Sequence, residues 1–368
     1  MNYLFACGGT AGHVNPALAI AEIVRAHERT ASILFLGSEN GMENQLVKKA
    51  GYRILSIPIL GFKRSLSPKN LLALYYAACA PRRVKRILKE KRIDVVVGTG
   101  GYVSWPAAVA AKKLGLPVIL HESNAYPGLS VRMSEKHADK ILLNFEGAKR
   151  YLREKEKAVT VGNPIKTAFT ESRASARRKL GLRENDVFLL SFGGSLGAKA
   201  LNESVLPWLA EEGIRYPRLY SVHAVGKAHE KDYAEYAKAH RLPERFRVLP
   251  YIDNMPTLMR AADIVVSRAG AATLSELAYC QTAAILIPSP FVANDHQTKN
   301  ARLLEEANAA IVLTEQAITK ERFSEALKEL ILSKEKRTVL SQNIAKFYQK
   351  DTAETVWREM REAIHGFL

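Results

Sequence analysis

The residues Gly8-Gly9-Thr10-Ala11-Gly12-His13 place three glycines and an imidazole in one short stretch. An apolar run, residues 3–7, precedes them and is long enough for one buried strand. Asn15 and Pro16 read as the cap and first residue of a helix, and Ala17, Ile20, Ala21 and Val24 then share one helical face. Glycines between a strand and a helix N-terminus bring unpaired backbone N–H groups close to an anion, and the helix dipole favours its charge. An imidazole at the lip of such a loop can move a proton. The chemistry indicated is proton transfer on a phosphate-bearing substrate.

The same device recurs. Gly193, Gly194, Ser195 and Gly197 match Gly8, Gly9, Thr10 and Gly12 at one constant offset, again between an apolar run and a helix that carries Asn202. The register puts Ala198 opposite His13, so the imidazole belongs to the first half alone. Further polar groups follow apolar runs, where parallel sheets bind ligands: Gly100-Gly101-Tyr102-Val103-Ser104, His121-Glu122-Ser123-Asn124, Arg268-Ala269-Gly270 and the polar stretch 294–300. Thr273-x-x-Glu276 reads as a capping box. Glu276 equally suits a carboxylate accepting the two hydroxyls of a ribose, and both readings stay open.

Several classes are excluded or disfavoured. G-x4-G-K-[ST] and H-E-x-x-H are missing, as is D-x-D, so a diphosphate has no acidic metal clamp to meet it. The glycine loops are not G-x-G-x-x-G, which disfavours a nicotinamide dehydrogenase. Gly193-Gly194-Ser195-Leu196-Gly197 matches the hydrolase elbow G-x-S-x-G, with Asp253 or Asp263 and His296 in the right order. Thr10 in the twin loop fits hydrogen bonding to phosphate better than acyl transfer.

The elements that position these groups alternate strand and helix through 368 residues, enough for two domains at ~150 residues each. The three cysteines are far apart and point to a reducing compartment. No signal peptide and no apolar run of transmembrane length is read. Formal net charge is +17. Residues 61–100 hold ten Lys or Arg against two Asp or Glu, or +8, around the uncharged run 71–80. Apolar residues beside cations suit an anionic membrane surface; a buried helix followed by a solvated basic one is the alternative.

In order along the chain, these motifs, with Gly162-Asn163-Pro164, Tyr251-Ile252-Asp253-Asn254-Met255 and Asp295-His296-Gln297, resemble the MurG-type N-acetylglucosaminyltransferases. The resemblance implies an α/β GT-B fold, two Rossmann-like doubly wound domains facing across a cleft: residues 1–162 for acceptor and membrane, 163–342 for the donor, and a helix in 343–368 returning to the first domain. It implies GlcNAc transfer from UDP-GlcNAc to lipid I, undecaprenyl-pyrophosphoryl-MurNAc-pentapeptide, at the cytoplasmic face of an anionic membrane, with no obligatory cofactor and no nucleic acid. Carried over by position, His13 and Glu122 are catalytic. Ser195, Asn202, Ile252, Met255, Arg268, Thr273, Glu276, His296 and Gln297 serve the donor, with Thr10, Gly12, Asn124 and Lys166 from the first half. Gly9, Tyr102, His121 and again Asn124 serve the acceptor. Lys166 stands where the family commonly has Arg, Ser123 where Gln is common, and Trp105 where a small residue is usual. A UDP-sugar 2-epimerase-like isomerase is the nearest rival reading, and a basic nucleic-acid-binding protein a more distant one.

Overall fold

A computed structural model of the chain describes residues 1–61, 69–165, 169, 171–194 and 196–367. Two compact units divide it. One comprises residues 1–164 and 349–368, the other 165–348. The N-terminal boundary therefore falls two residues after the expected 162. The C-terminal one falls at 348/349 rather than 342/343, because the helix spanning 343 packs inside the second unit.

The first unit holds seven parallel strands: β1 (Asn2–Cys7), β2 (Ser32–Ser38), β3 (Arg53–Ile57), β4 (Val95–Gly100), β5 (Val118–Glu122), β6 (Lys140–Leu143) and β7 (Ala158–Thr160). Their spatial order is β3-β2-β1-β4-β5-β6-β7. Helices α1 (Ala11–His27), α2 (Glu43–Lys49), α3 (Lys69–Glu90), α4 (Ser104–Lys112) and α5 (Leu129–Ser134) connect them. The strands are apolar runs because both faces of the sheet are covered. Alternate residues of β1 part accordingly. Leu4 and Ala6 join a core with Val84, Leu88 and Ala107, whereas Tyr3, Phe5 and Cys7 join Val14, Ile20 and Val24 of α1.

The second unit has six parallel strands: β8 (Val187–Phe192), β9 (Leu219–Ala224), β10 (Phe246–Leu249), β11 (Ile264–Ser267), β12 (Ala283–Leu286) and β13 (Ile311–Val312), in the order β10-β9-β8-β11-β12-β13. Its helices are α6 (Arg173–Lys179), α7 (Lys199–Glu211), α8 (Glu230–Ala239), α9 (Met255–Ala261), α10 (Ala271–Cys280), α11 (His296–Glu306), α12 (Lys320–Leu332) and α13 (Lys334–Ala345). The last helix, α14 (Thr352–His365), belongs to the first unit, where Val356, Met360 and Ile364 recur one turn apart and are buried in the α1 core.

In each unit the strand order reverses beside the first strand, between β1 and β4 and between β8 and β11. These are the switch points where open α/β sheets hold ligands. Both glycine loops lie there.

Candidate functional site

In the first unit, Thr10 caps α1 with extended backbone, and Ala11, Gly12 and His13 are its first three residues. This corrects the expected cap at Asn15: Pro16 stands inside the helix, where it leaves the Gly12 carbonyl without its i+4 N–H. The earlier start gives the first turn to the glycine loop itself. It puts His13 on the helix rather than before it.

His13 is half-buried. Its Nδ1 lies 2.9 Å from the Gly8 carbonyl oxygen and 3.4 Å from Thr10 Oγ1. Thr99 Oγ1 donates to the His13 carbonyl at 2.7 Å. A carbonyl only accepts, so Nδ1 carries the proton and the neutral ring keeps its lone pair on Nε2. Burial lowers the imidazole pKa, with the Gly8 hydrogen bond and the Glu43 charge acting the other way. The ring rests on Gly100, where φ is +113° and an added Cβ would lie 2.5 Å from Cδ2. Tyr102 follows in the same loop, half exposed, its ring packed over Gly61.

Beside this loop, β5 ends in His121 and Glu122. Burial pushes His121 down to about 4, with the Gly162 backbone beside the ring acting the other way. Glu122 is also buried. One carboxylate oxygen accepts from the Asn124 amide and Nδ2 at 2.9 and 3.0 Å, and the other from the Gly128 amide at 2.7 Å. These hydrogen bonds brace the turn into α5 and hold Asn124 in place.

The expected anion cradle is also altered. Gly9 N donates to Glu43 Oε2 at 3.1 Å, while Ser38 N and Oγ donate to Oε1 at 2.7 and 2.6 Å. Glu43 is fully buried. Burial alone would raise its carboxyl, but hydrogen bonds from Ser38, its own amide and Gly9 hold it below the usual carboxylate range. Sequence reasoning missed this residue. The one available signal was the trio Gly8, Gly37 and Gly41, at each of which a Cβ would collide with Glu43.

In the second unit, Gly197 N donates to the Gly194 carbonyl at 3.1 Å, and α7 begins at Lys199. Ser195 and Lys166 lie outside the described residues. Asn202 is fully buried. Its Nδ2 donates to the Val225 carbonyl at 3.0 Å, and its Oδ1 stands 3.1 Å from His223 Nε2. His223, 2.7 Å from Ser191 Oγ and also missed, is driven by burial to about 3 and is neutral. The chain ties β8, β9 and α7 together under the loop.

The helix after β11 starts at Ala271 with Gly270 as its cap, so the capping-box reading fails. Thr273 and Glu276 lie within α10, the former in its first turn. Arg268 is not a free cation. It donates to the Ile287 carbonyl at 2.9 Å and pairs with Glu315. His296 and Gln297 open α11 instead of lying in an extended loop, and Gln297 Oε1 accepts from the Ser289 amide at 2.9 Å. Asn300 Nδ2 reaches the Ala269 carbonyl at 3.1 Å and ties α11 to the β11 loop. Ile252 is buried, and Met255 opens α9. The second switch point thus gathers Gly194, Gly197, Gly270, Thr273 and Gln297 at the C-terminal ends of β8, β11 and β12. It offers helix N-termini to an anion.

Two doubly wound units, each with a glycine loop at its switch point and His13 on the first, have the architecture of the GT-B class of glycosyltransferases. The N-terminal domain model of glycosyltransferase family 28 matches residues 3–143, and its C-terminal domain model matches 188–356. A UDP-N-acetylglucosamine--N-acetylmuramyl-(pentapeptide) pyrophosphoryl-undecaprenol N-acetylglucosamine transferase of Thermoanaerobacter sp. (strain X514) is 36% identical over 97% of this chain and 98% of its own. The enzyme of that name from Ruminiclostridium cellulolyticum is 36% identical over 99% and 100%. Acinetobacter baumannii MurG superposes with a TM-score of 0.77 at 29% identity, covering 98% of this chain and 99% of its own. UDP-GlcNAc 2-epimerase from Neisseria meningitidis, at 12% identity and a TM-score of 0.69 over 98% of this chain and 100% of its own, shares the fold alone. The chain belongs to the MurG group of glycosyltransferase family 28.

Proposed function

We propose that this chain transfers GlcNAc from UDP-GlcNAc to the 4-hydroxyl of MurNAc in lipid I, with inversion, forming lipid II of peptidoglycan. The carrying observation is 36% identity along nearly the whole chain to enzymes bearing that reaction in their names. UDP-GlcNAc is a substrate, and no obligatory cofactor is invoked.

The C-terminal switch point takes the donor. First-turn amides of α7 and α10 face its diphosphate, Ile252 and Met255 lie by the base, Glu276 by the ribose, and His296 and Gln297 by the sugar. Ser195 and Lys166 belong to the same reading. The loops after β1, β4 and β5 take the acceptor, with Gly9, Tyr102, His121 and Asn124 around its sugar and diphosphate, while Thr10, Gly12 and again Asn124 reach the donor. The muramyl oxygen attacks the anomeric carbon and forms the new glycosidic bond. The bond from that carbon to the β-phosphate oxygen breaks, and UDP leaves with the electron pair. The hydroxyl proton goes to His13 Nε2. A positioned base contributes ~10²–10⁴-fold.

The work is done at the cytoplasmic face of the membrane. Leu71, Leu72, Leu74 and Tyr75 are exposed on the first turns of α3, which argues against a buried helix there. Arg82, Arg83, Lys85, Arg86 and Lys89 follow on the same helix. Among the described residues no helix is long and apolar enough to cross a membrane. Nucleic acid is not a partner in this reading.

Radiolabelled sugar transfer from UDP-GlcNAc to a lipid-linked muramyl pentapeptide, run beside other UDP-hexoses, tests the proposal. Acceptor-dependent label in lipid, selective for UDP-GlcNAc, is expected. Conversion of UDP-GlcNAc to its 2-epimer without acceptor would overturn it.

A further inference from the structure

Glu43 has no place in the mechanism above, yet it is a fully buried carboxylate directly beneath the loop that carries His13. Its contact with that loop is the Gly9 N–H. The Gly9 N–H and the Gly8 carbonyl belong to one peptide group. That group is planar and trans, so its N–H and C=O point in opposite directions. Whatever grips the N–H from one side therefore aims the carbonyl to the other. On the other side stands His13 Nδ1, 2.9 Å from the Gly8 oxygen.

This peptide needs holding. Glycines flank it on both sides, and Gly9 has φ +86° with open space where a Cβ would be. Glycine crosses between the two signs of φ at little cost, so rotation of the Gly8–Gly9 peptide is inexpensive unless a partner resists it. A rotated peptide would present an N–H to Nδ1. The neutral ring would then favour the tautomer with its proton on Nε2, the nitrogen that must be empty to accept one. Backbone packs against both loops, Gly101 on Gly8 and Gly226 on Gly197, close enough that an added Cβ would collide; the twin loop, with Ala198 in place of an imidazole, has no carboxylate hydrogen bond to match that of Glu43 among the described residues. The carboxylate grip accompanies the imidazole.

We propose that Glu43 is a positioning residue for transfer. By holding the Gly9 N–H it fixes the Gly8 carbonyl on His13 Nδ1 and so keeps Nε2 unprotonated and ready. Glu43 does not touch substrate. This rests on the reading of His13 as the base. Ser38, which gives Glu43 two hydrogen bonds from β2, completes the chain Ser38–Glu43–Gly9/Gly8–His13. The other groups against the ring, Thr10, Thr99 and Gly100, are uncharged.

Glu43→Gln tests it in the full-length enzyme. The amide keeps the shape but offers one acceptor oxygen where the carboxylate serves three donors. Expected are a kcat lower by about tenfold or more, consistent with the cost of misplacing a catalytic group, and an unchanged KM for UDP-GlcNAc. With 15N-histidine labelling, and the His13 signals assigned through His13→Gln, the ring should pass from the Nδ1–H form to a mixture of tautomers. Wild-type kcat, or a lost kcat with the wild-type tautomer pattern, overturns the proposal. If Glu43→Gln does not fold, Ser38→Ala removes one hydroxyl bond and keeps the charge. It should lower kcat about threefold with partial tautomer mixing, and no change in either overturns the proposal. Absence of transfer by the wild-type enzyme counts against the assigned reaction, whereas the tautomer measurement reports on Glu43 by itself.

Discussion

The Nδ1 of His13 lies 2.9 Å from the carbonyl oxygen of Gly8, five residues earlier in the chain. That one contact sets which nitrogen of the ring is basic. Burial lowers the pKa from 6.5, so the ring is neutral at pH 7. A base acts only unprotonated, so activity should fall as pH drops through the His13 pKa. In a profile of kcat/KM from pH 5 to 8, the acid limb should have its midpoint below 6.5. A limb centred above 7 would contradict a buried base with this geometry.

Glu122 makes a prediction that separates bracing from chemistry. Its two oxygens accept from Asn124 and Gly128 within the loop after β5. Glu122→Gln should therefore destabilise the protein by ~1–3 kcal/mol, because a buried donor is left unmatched. It should also raise the KM for the lipid acceptor as Asn124 loses its aim. Thermal unfolding and initial rates measure both. A large kcat loss at unchanged melting temperature would instead assign Glu122 a catalytic role.

The buried histidines predict how stability depends on acid. His121 is pushed down to about 4 and His223 to about 3. Below pH 6.5 the unfolded chain takes up protons that the folded state refuses, so stability falls with decreasing pH. The slope is ~1.4 kcal/mol per pH unit for each group, flattening near pH 4 and pH 3. Carboxylates held low, Glu43 and also Glu171, the latter at about 2, add their own loss only below about 4.5. Denaturant midpoints between pH 7 and 5 thus isolate the histidines. His223→Gln should make that segment of the curve shallower.

For the membrane, Leu72, Leu74 and Tyr75 are 45%, 58% and 58% exposed on α3. Replacing all three with serine should loosen binding to anionic vesicles by ~10-fold or more, since burial of each side chain contributes ~1.5–3 kcal/mol. Sedimentation with vesicles measures it, and soluble-substrate binding should be unaffected. Unaltered partitioning would remove α3 from the interface.

The twin glycine loops and both sheets were legible because they rest on backbone chemistry and on apolar runs, which leave a regular trace. Three strands were not, Arg53–Ile57, Leu219–Ala224 and Ile311–Val312; in the second of these the buried Ser221 and His223 interrupt the apolar pattern, and the partners of His223, Ser191 and Asn202, are distant in sequence. Helix starts were misplaced for a common reason. Pro16 and Thr273 imitate start signals, yet α1 and α10 begin earlier, at Ala11 and Ala271, where glycine-containing turns supply the bend. Residue type picks out candidates for the site, but Glu122, Asn202 and Arg268 are held by neighbours that no spacing rule brings to them. Glu43 left the least trace, because its partners lie on two other elements.

The most direct test of the account is the turnover of His13→Gln with lipid I and UDP-GlcNAc at saturation. Glutamine keeps the bulk of the ring without a base at Nε2. A fall of ~10²–10⁴-fold in kcat, with UDP-GlcNAc binding intact and the fold retained, is the predicted result. Turnover within twofold of wild type would contradict it.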